Sequence, residues 1–173
     1  MRTSNLPLVN ALLTPLVAAL CIAAFACPSV HAARPANARS AKAPESPQEA
    51  KALALFEEFV RLGETFDPAL ADLYADTAKV SNRRVFPDGT SREMAMPAPS
   101  YKSLLRSVMP VARERNDVSR YSEVRYTIEG DNVRIRATRY SVMKDYSAPH
   151  SLLVGPDTDG TWRVLEESGE SRP

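Results

Sequence analysis

The side chains best suited to acid–base or metal chemistry are few in this 173-residue sequence. Its two histidines are His31 and His150, and its two cysteines are Cys21 and Cys27. Both cysteines and His31 fall in an apolar N-terminal segment, so a chain cut after that segment keeps one histidine and no thiol. Such a chain excludes thiol nucleophiles, thiolate metal sites and multi-histidine metal sites. A Ser–His–Asp arrangement would have to use His150, but the sequence contains no nucleophile-elbow motif. His150 follows Pro149, and we expect it on the surface, at the entrance of a strand.

One aspartate-rich loop invites comparison with calcium-binding loops. Within residues 155–166, Asp157 and Asp159 occupy two early ligand positions of such a loop, and Glu166 occupies the last. The first ligand position requires aspartate but holds Gly155, and a strand pattern rather than a helix follows. We therefore interpret the segment as a hairpin turn, and we predict neither a metal nor a cofactor.

Five arginines fall on the predicted strands: Arg125, Arg134, Arg136, Arg139 and Arg163. Alternation directs all of them except Arg139 away from the core, where pairing with Glu123 or Glu166 across strands is the expected arrangement. The apolar alternation breaks after Ala137, which predicts a bulge near Thr138 or Arg139. Such a bulge turns Arg139 toward the mouth of the domain, where its guanidinium can hold a carboxylate or a phosphate.

The N-terminal segment has the features of a secretion signal. Arg2 is followed by an uncharged run that reaches Arg34, and Val30-His31-Ala32 supplies the small residues that signal peptidase requires. We predict that residues 1–32 are a cleaved signal, that no membrane span remains after cleavage, and that the protein is periplasmic or secreted. A retained transmembrane anchor is one alternative, and a lipoprotein anchored at Cys27 is another.

The remaining chain divides into a tether, a domain and a tail. Residues 33–45 lack large apolar side chains, a composition typical of a flexible tether. Residues 46–168 have the length of a single domain, and residues 169–173 form the tail. The sequence has 22 Lys and Arg against 21 Asp and Glu, and the signal holds only Arg2. The predicted mature chain therefore has no net charge, which gives no support to nucleic-acid binding.

Three helices are predicted before the main run of strands. Ser46-Pro47-Gln48-Glu49 is a capping box with proline at the first helical position, and the apolar residues that follow keep helical spacing up to Gly63, which is placed to end the helix. Asp67-Pro68 begins a second, shorter helix, and Ser100 begins a third that Pro110 kinks or closes. The third helix is expected to bury Leu104, Leu105, Val108 and Val111.

Alternating apolar and polar residues fill the rest of the domain. They predict strands at residues 77–86, 92–96, 123–128, 133–142, 151–154 and 161–165. Helices come first and a long antiparallel meander comes last. This order indicates an α+β fold with helices packed on one face of a curved, mainly antiparallel sheet. The expected core contains Phe56, Phe59, Leu73, Val124, Tyr126, Ile135 and Trp162.

Two segments, Leu70–Val80 (LADLYADTAKV) and Asp159–Glu167 (DGTWRVLEE), carry a family resemblance. They resemble the second helix with the first strand, and the closing strand, of the nuclear-transport-factor-2-like superfamily. These cone-shaped, cystatin-like domains include ketosteroid isomerases and polyketide cyclases. The resemblance implies that in such an isomerase a carboxylate two residues beyond the strand valine takes the substrate proton. The matching position here is Asn82, whose amide cannot act as that base.

The resemblance implies a cone whose interior can serve as a pocket. Candidate pocket residues are Tyr74, Asn82, Tyr101, Tyr126, Arg139 and Trp162.

We predict no catalytic residue, and the first hypothesis is an exported, non-catalytic binding module that holds a small molecule or a protein partner. One alternative is an isomerase, cyclase or dehydratase that uses Asp76 or His150 as a replacement base. Another is an accessory or inhibitor protein of an envelope assembly. A homodimer through the open sheet face is also expected to be possible. A carboxylate or His150 pointing into an enclosed cavity favours the enzyme, and a filled cone with an apolar outer patch favours a partner surface.

Overall fold

The computed structural model describes residues 44–172 of the chain, so the predicted signal and most of the predicted tether lie outside the described residues. Two α-helices lie in this part, α1 (Pro47–Glu64) and α2 (Ala98–Arg115), with a short 3-10 helix (Pro68–Leu73) between them. The strands are β1 (Tyr74–Val85), β2 (Ser91–Pro97), β3 (Ser119–Glu129), β4 (Asn132–Ser141), β5 (Tyr146–Pro156) and β6 (Trp162–Ser171).

Helix α1 begins where the capping box predicts. The Ser46 hydroxyl accepts a hydrogen bond from the Glu49 amide at 3.1 Å, and the Glu49 carboxylate accepts one from the Glu45 amide at 2.6 Å, so amides at the helix start are satisfied. The helix passes the predicted stop at Gly63 and ends one residue later. The left-handed residue beyond it is Phe66, with φ of 54°, at a place that glycine usually holds in a helix C-cap.

Helix α2 buries a narrower stripe than the sequence predicts. Leu105 and Met109 are buried on the side that packs against β1 and the 3-10 helix. Three residues predicted to be buried are instead 41%, 38% and 43% exposed: Leu104, Val108 and Val111. They follow one another at helical spacing and form an apolar stripe beside the buried one, the α2 outer stripe, of which Val108 also reaches the cavity between the helices and the sheet. Pro110 lies inside the helix and does not close it.

All six strands form one sheet in the order β2-β1-β6-β5-β4-β3. Neighbouring strands are antiparallel except for the parallel pair β1 and β6. The predicted α+β fold, with helices packed on one face of a curved and mainly antiparallel sheet, is confirmed. Strand β6 runs to Ser171 and pairs with β1 along its end, which adds residues 169–171 to the sheet.

The prediction of a bulge in β4, near Thr138 or Arg139, is wrong. Strand β4 pairs with β5 without a break along its whole length. The irregularity lies in the neighbouring strand β3, between Ser122 and Arg125. The apolar pattern of β4 shifts after Ala137 only because its last outward positions carry large side chains, while its inward positions keep the same parity.

The core lies between the sheet and the helices. Among the residues expected there, Phe56, Phe59 and Ile135 are buried. The other four pack against the core but are only partly buried: Leu73, Val124, Tyr126 and Trp162. Neither α-helix of residues 44–172 is long and apolar enough to cross a bilayer.

Candidate functional site

A bulge in β6 sets the floor of the candidate site. Val164 and Glu166 pair with consecutive residues of β5, so Leu165 is an extra residue that reverses which positions face the core. Beyond it the odd-numbered positions point inward. Glu167 therefore enters the domain, while Glu166 points outward to Arg134 at 2.8 Å, the pairing across strands that the sequence predicts.

His150 faces this carboxylate from β5. Alternation along β5 places His150 on the same face as the buried Leu152 and Val154, and its Nε2 lies 2.9 Å from Oε1 of Glu167. The expectation of a surface histidine is wrong, since His150 is only 6% exposed. The reason is that β5 begins at Tyr146, so His150 lies well inside the strand and not at its entrance.

Both carboxylate oxygens of Glu167 are engaged. The Tyr74 hydroxyl donates to Oε2 at 2.6 Å, and His150 contacts Oε1. Burial acts to raise the pKa of Glu167, but hydrogen bonds with His150, Tyr74 and Tyr101, together with the charge interaction with His150, outweigh it. The pKa of Glu167 therefore lies below its ordinary value, and the group is a carboxylate at neutral pH.

Three tyrosines from three elements surround the carboxylate. Tyr74 begins β1, Tyr101 lies in the first turns of α2, and Tyr121 lies in β3. The rings of Tyr74 and Tyr101 meet edge to face with centroids 5.3 Å apart, and the ring of Tyr121 lies 5.2 Å from that of His150. Burial, reinforced by the charge of Glu167, raises the pKa of all three tyrosines, so they keep their protons at neutral pH.

A cavity of about 170 Å³ lies beside these tyrosines, bounded by α1, α2 and the sheet. Glu167 and the three tyrosines form its polar part, and Phe59, Phe66 and Met109 belong to its apolar wall. Glu64 and Asp117 also line it. The cavity is close in size to engineered core cavities of about 150 Å³ that admit a benzene molecule.

Arg139 lines the same cavity. Regular alternation along β4, and not the predicted bulge, turns it inward. Its Nη2 donates to the Tyr146 hydroxyl at 3.0 Å, and the guanidinium lies 6.0 Å from the centre of that ring. Arg139 therefore lines the cavity without a bulge in β4, and its position at the mouth and its role as an anion ligand stay predictions.

Three of the six candidate pocket residues line the cavity together: Tyr74, Tyr101 and Arg139. The other three lie outside its lining. The Asn82 amide donates to the Ser171 hydroxyl at 2.7 Å. Tyr126 packs against the core, and Trp162 lies 5.6 Å from the ammonium of Lys51.

The other acidic candidates are ion-pair partners. Asp76 is 82% exposed and contacts Lys102 at 2.6 Å, whose hydrogen bond and charge hold the pKa of Asp76 below its ordinary value. In the β5–β6 hairpin, Asp157 and Asp159 both pair with Arg163. Within residues 44–172, no group of three or more His, Cys, Asp or Glu side chains is placed to hold a metal ion.

Sequence reasoning missed Glu167 and Tyr121, both for the same reason. A bulge precedes Glu167 in β6 and another follows Tyr121 in β3, so each side chain faces opposite to simple alternation. A signal for Glu167 does exist in the sequence: the apolar pair Val164-Leu165 is followed by the acidic pair Glu166-Glu167, and such doublets break a period of two.

No family model matches the sequence, and no curated protein matches it. Solved structures do resemble it. A nuclear-transport-factor-2-like protein of unknown function from Pseudomonas putida KT2440 has a TM-score of 0.53 at 12% identity, over 70% of this chain and 84% of that one. The Bdellovibrio bacteriovorus protein Bd1075 has a TM-score of 0.51 at 11% identity, over 70% and 40% of the two chains.

A nuclear-transport-factor-2-like protein with a cystatin-like fold from Novosphingobium aromaticivorans has a TM-score of 0.49 at 12% identity, over 71% of this chain and 80% of that one. At such identities the likeness concerns architecture alone. The likeness to the Pseudomonas putida structure, at a TM-score of 0.53, agrees with the element order, the sheet and the helix placement described above. The described domain has the nuclear-transport-factor-2-like fold.

Proposed function

We propose that this domain is a non-catalytic module that binds a small molecule in the cone cavity. The observation that carries the proposal is the cavity of about 170 Å³ with an ionised carboxylate among three tyrosines. Sites for small ligands combine apolar and aromatic walls with a few polar groups that fix orientation, and this cavity has both.

The chemistry of the polar groups favours recognition over acid–base catalysis. A general base works best when its pKa lies near the working pH, whereas the pKa of Glu167 is held below its ordinary value. Both of its oxygens already have partners. His150 is not among the residues that line the cavity, and the raised pKa of Tyr74 leaves that hydroxyl a donor.

Gly63 offers a position on the cavity lining where a larger side chain can be added as a test. It belongs to α1, lines the cavity, and a Cβ added there meets no atom within 4 Å. We expect Gly63→Leu to fold, because leucine favours a helix more than glycine does, and to abolish the binding of fragments found by ligand-observed NMR. Gly63→Ala is the matched control and should retain binding. Fragments that bind Gly63→Leu as well as wild type would refute the cavity as the site.

The second candidate is an enzyme of the isomerase, cyclase or dehydratase class. A carboxylate that points into the cavity, with His150 behind it, favours this candidate. Wild type, Glu167→Gln and His150→Ala should be compared on ketosteroid and enolisable substrates. Turnover by wild type that either substitution abolishes would establish the enzyme in place of the binding module.

A partner role has its own support on the outside of the domain. The α2 outer stripe is exposed, and so are Met94 and Met96 of β2, at 42% and 37%. Exposed apolar patches commonly mark interaction surfaces. An accessory or inhibitor role in an envelope assembly would use this surface, while a homodimer would use the sheet face that the helices leave open.

Export of the protein is also proposed. It rests on the uncharged, apolar run that ends at Val30-His31-Ala32. Cleavage there would release the domain behind its tether into the periplasm or the medium, without a membrane span. Lipidation at Cys27 would instead leave it anchored.

A further inference from the structure

Aromatic rings make up a large part of the cavity wall. Five of its lining residues carry aromatic rings: Phe59, Phe66, Tyr74, Tyr101 and Tyr121. The rings cross at steep angles, since Tyr74 and Tyr101 are inclined by 75° and Phe59 and Tyr121 by 67°. In such edge-to-face pairs neighbouring rings are steeply inclined, so ring edges as well as ring faces belong to the cavity wall. The negative faces of aromatic rings attract cations.

Phe66 adds to this wall at a cost in backbone conformation. Its φ of 54° is uncommon for a bulky residue, and glycine would adopt that angle without strain. The sequence nevertheless places an aromatic ring there, and it is buried against the cavity. The left-handed angle belongs to the C-cap of α1, and it places the Phe66 ring in the cavity wall.

The charged groups of the cavity point the same way. Three carboxylates line it, those of Glu64, Asp117 and Glu167, against one guanidinium, that of Arg139. The guanidinium already lies against the ring of Tyr146 and donates to its hydroxyl. Three acidic side chains against one basic side chain leave the lining with an excess of negative charge.

We infer that the cavity takes a small organic cation, an amine or quaternary ammonium group of about the size of one ring. This inference rests on the proposed function. The cationic head would lie among Tyr74, Tyr101 and Tyr121 above the carboxylate of Glu167, where cation–π attraction and charge act together. A carboxylate ligand held by Arg139 is the competing occupant, and it would meet the repulsion of the surrounding acids.

Three probes of one shape and different charge separate these ligands. They are choline, its neutral analogue 3,3-dimethylbutan-1-ol and the anion 3,3-dimethylbutanoate, each titrated into the exported protein by calorimetry. We expect choline to bind at least about tenfold more tightly than the neutral analogue, which corresponds to the stronger cation–π contacts. Equal or tighter binding of the alcohol or of the anion would overturn the assignment, and so would a failure of all three to bind.

Substitutions at the cavity lining test whether choline binds there. Tyr101→Leu should weaken choline about tenfold and leave the neutral analogue unchanged, and Asp117→Asn, at the cavity lining, should weaken choline alone. Tyr140→Leu, outside the cavity lining, is the control. Unchanged choline affinity in both Tyr101→Leu and Asp117→Asn would overturn the inference. Binding of the alcohol or the anion that Gly63→Leu blocks would leave the proposed pocket standing and remove only the cation.

Discussion

The carboxylate of Glu167 is held by a hydroxyl, an imidazole and a second tyrosine, in a part of the domain where a lone charge would be costly. Each partner comes from a different strand or helix, so the network ties β1, β5, β6 and α2 to one point. Removing any one partner leaves a buried polar atom without its contact, and buried groups of that kind are expensive.

Tyr74→Phe removes one donor and keeps the ring. We expect the variant to lose about 1–3 kcal/mol of unfolding free energy, because Oε2 of Glu167 then lacks its hydrogen bond. Denaturant titration measures the loss. Tyr140→Phe is the control, since its hydroxyl contacts Asp145 at the surface, and it should cost clearly less. Equal losses in the two variants would show that the buried bond contributes nothing special.

The pKa of Glu167 also predicts a dependence of stability on pH. Because the folded-state pKa lies below the ordinary value of 4.5, the unfolded chain binds this proton more tightly. The stability that the carboxylate contributes is therefore present above about pH 4.5 and is lost as pH falls through the folded pKa.

Glu167→Gln has no such group. We expect wild type to be more stable than Glu167→Gln at pH 7 and this advantage to shrink on acidification below about pH 4.5, as measured by denaturant titration across that range. A difference between the two proteins that stays constant with pH would contradict the assignment of an ionised, stabilising Glu167.

The sequence predicted Tyr74, Tyr101 and Arg139 at the cavity but not Glu167 or Tyr121. The first two were found because the family resemblance and helical spacing place them on inward faces. Glu167 and Tyr121 are each separated by a bulge from the part of the strand whose alternation the sequence shows. A bulge depends on how neighbouring strands pair. That pairing is set by contacts far apart in the chain, which local alternation does not contain.

At the scale of elements, the contribution to stability of the inner face of α1 can be compared with that of the α2 outer stripe. Phe59 of α1 stacks near Phe56, Tyr121 and His150, with centroids 6.2, 6.0 and 5.8 Å away. We expect Phe59→Ala to cost about 3–5 kcal/mol, as for buried aromatics generally. Leu104→Ala on the α2 outer stripe should change stability by less than about 0.5 kcal/mol.

Denaturant titration measures the free energy of unfolding of both variants. A loss under about 1 kcal/mol for Phe59→Ala would show that this face of α1 is not part of the core. A large loss for Leu104→Ala would show instead that the α2 outer stripe is covered by another surface in solution.

The sequence predicted the capping box of α1, the short helix after Asp67 and the final hairpin, because each depends on residues close together in the chain. It predicted the wrong burial for α2, since apolar residues lie on more than one side of that helix. Which side faces the sheet depends on the docking of α2 against β1 and the 3-10 helix, and hydrophobic periodicity alone does not specify that docking.

For the whole molecule, the location of the domain depends on how the chain is processed. We expect the mature protein to begin at Ala33, because the run before it ends in the small residues that signal peptidase cleaves after. Intact-mass and N-terminal analysis of the protein purified from the producing culture measures this. An uncleaved chain, or one that begins at a lipidated Cys27, would contradict it.

The proposed function requires that a small molecule bind inside the cone. Chemical shifts of methyl groups, recorded while a fragment that binds the protein is titrated, test it most directly. We predict shifts at the cavity residues Val60 and Met109, with none at Ile128 and Met143 on the outer surface. Shifts confined to Leu104, Val111 and Met94 would contradict the claim, because they would place the interaction on the outside of the domain.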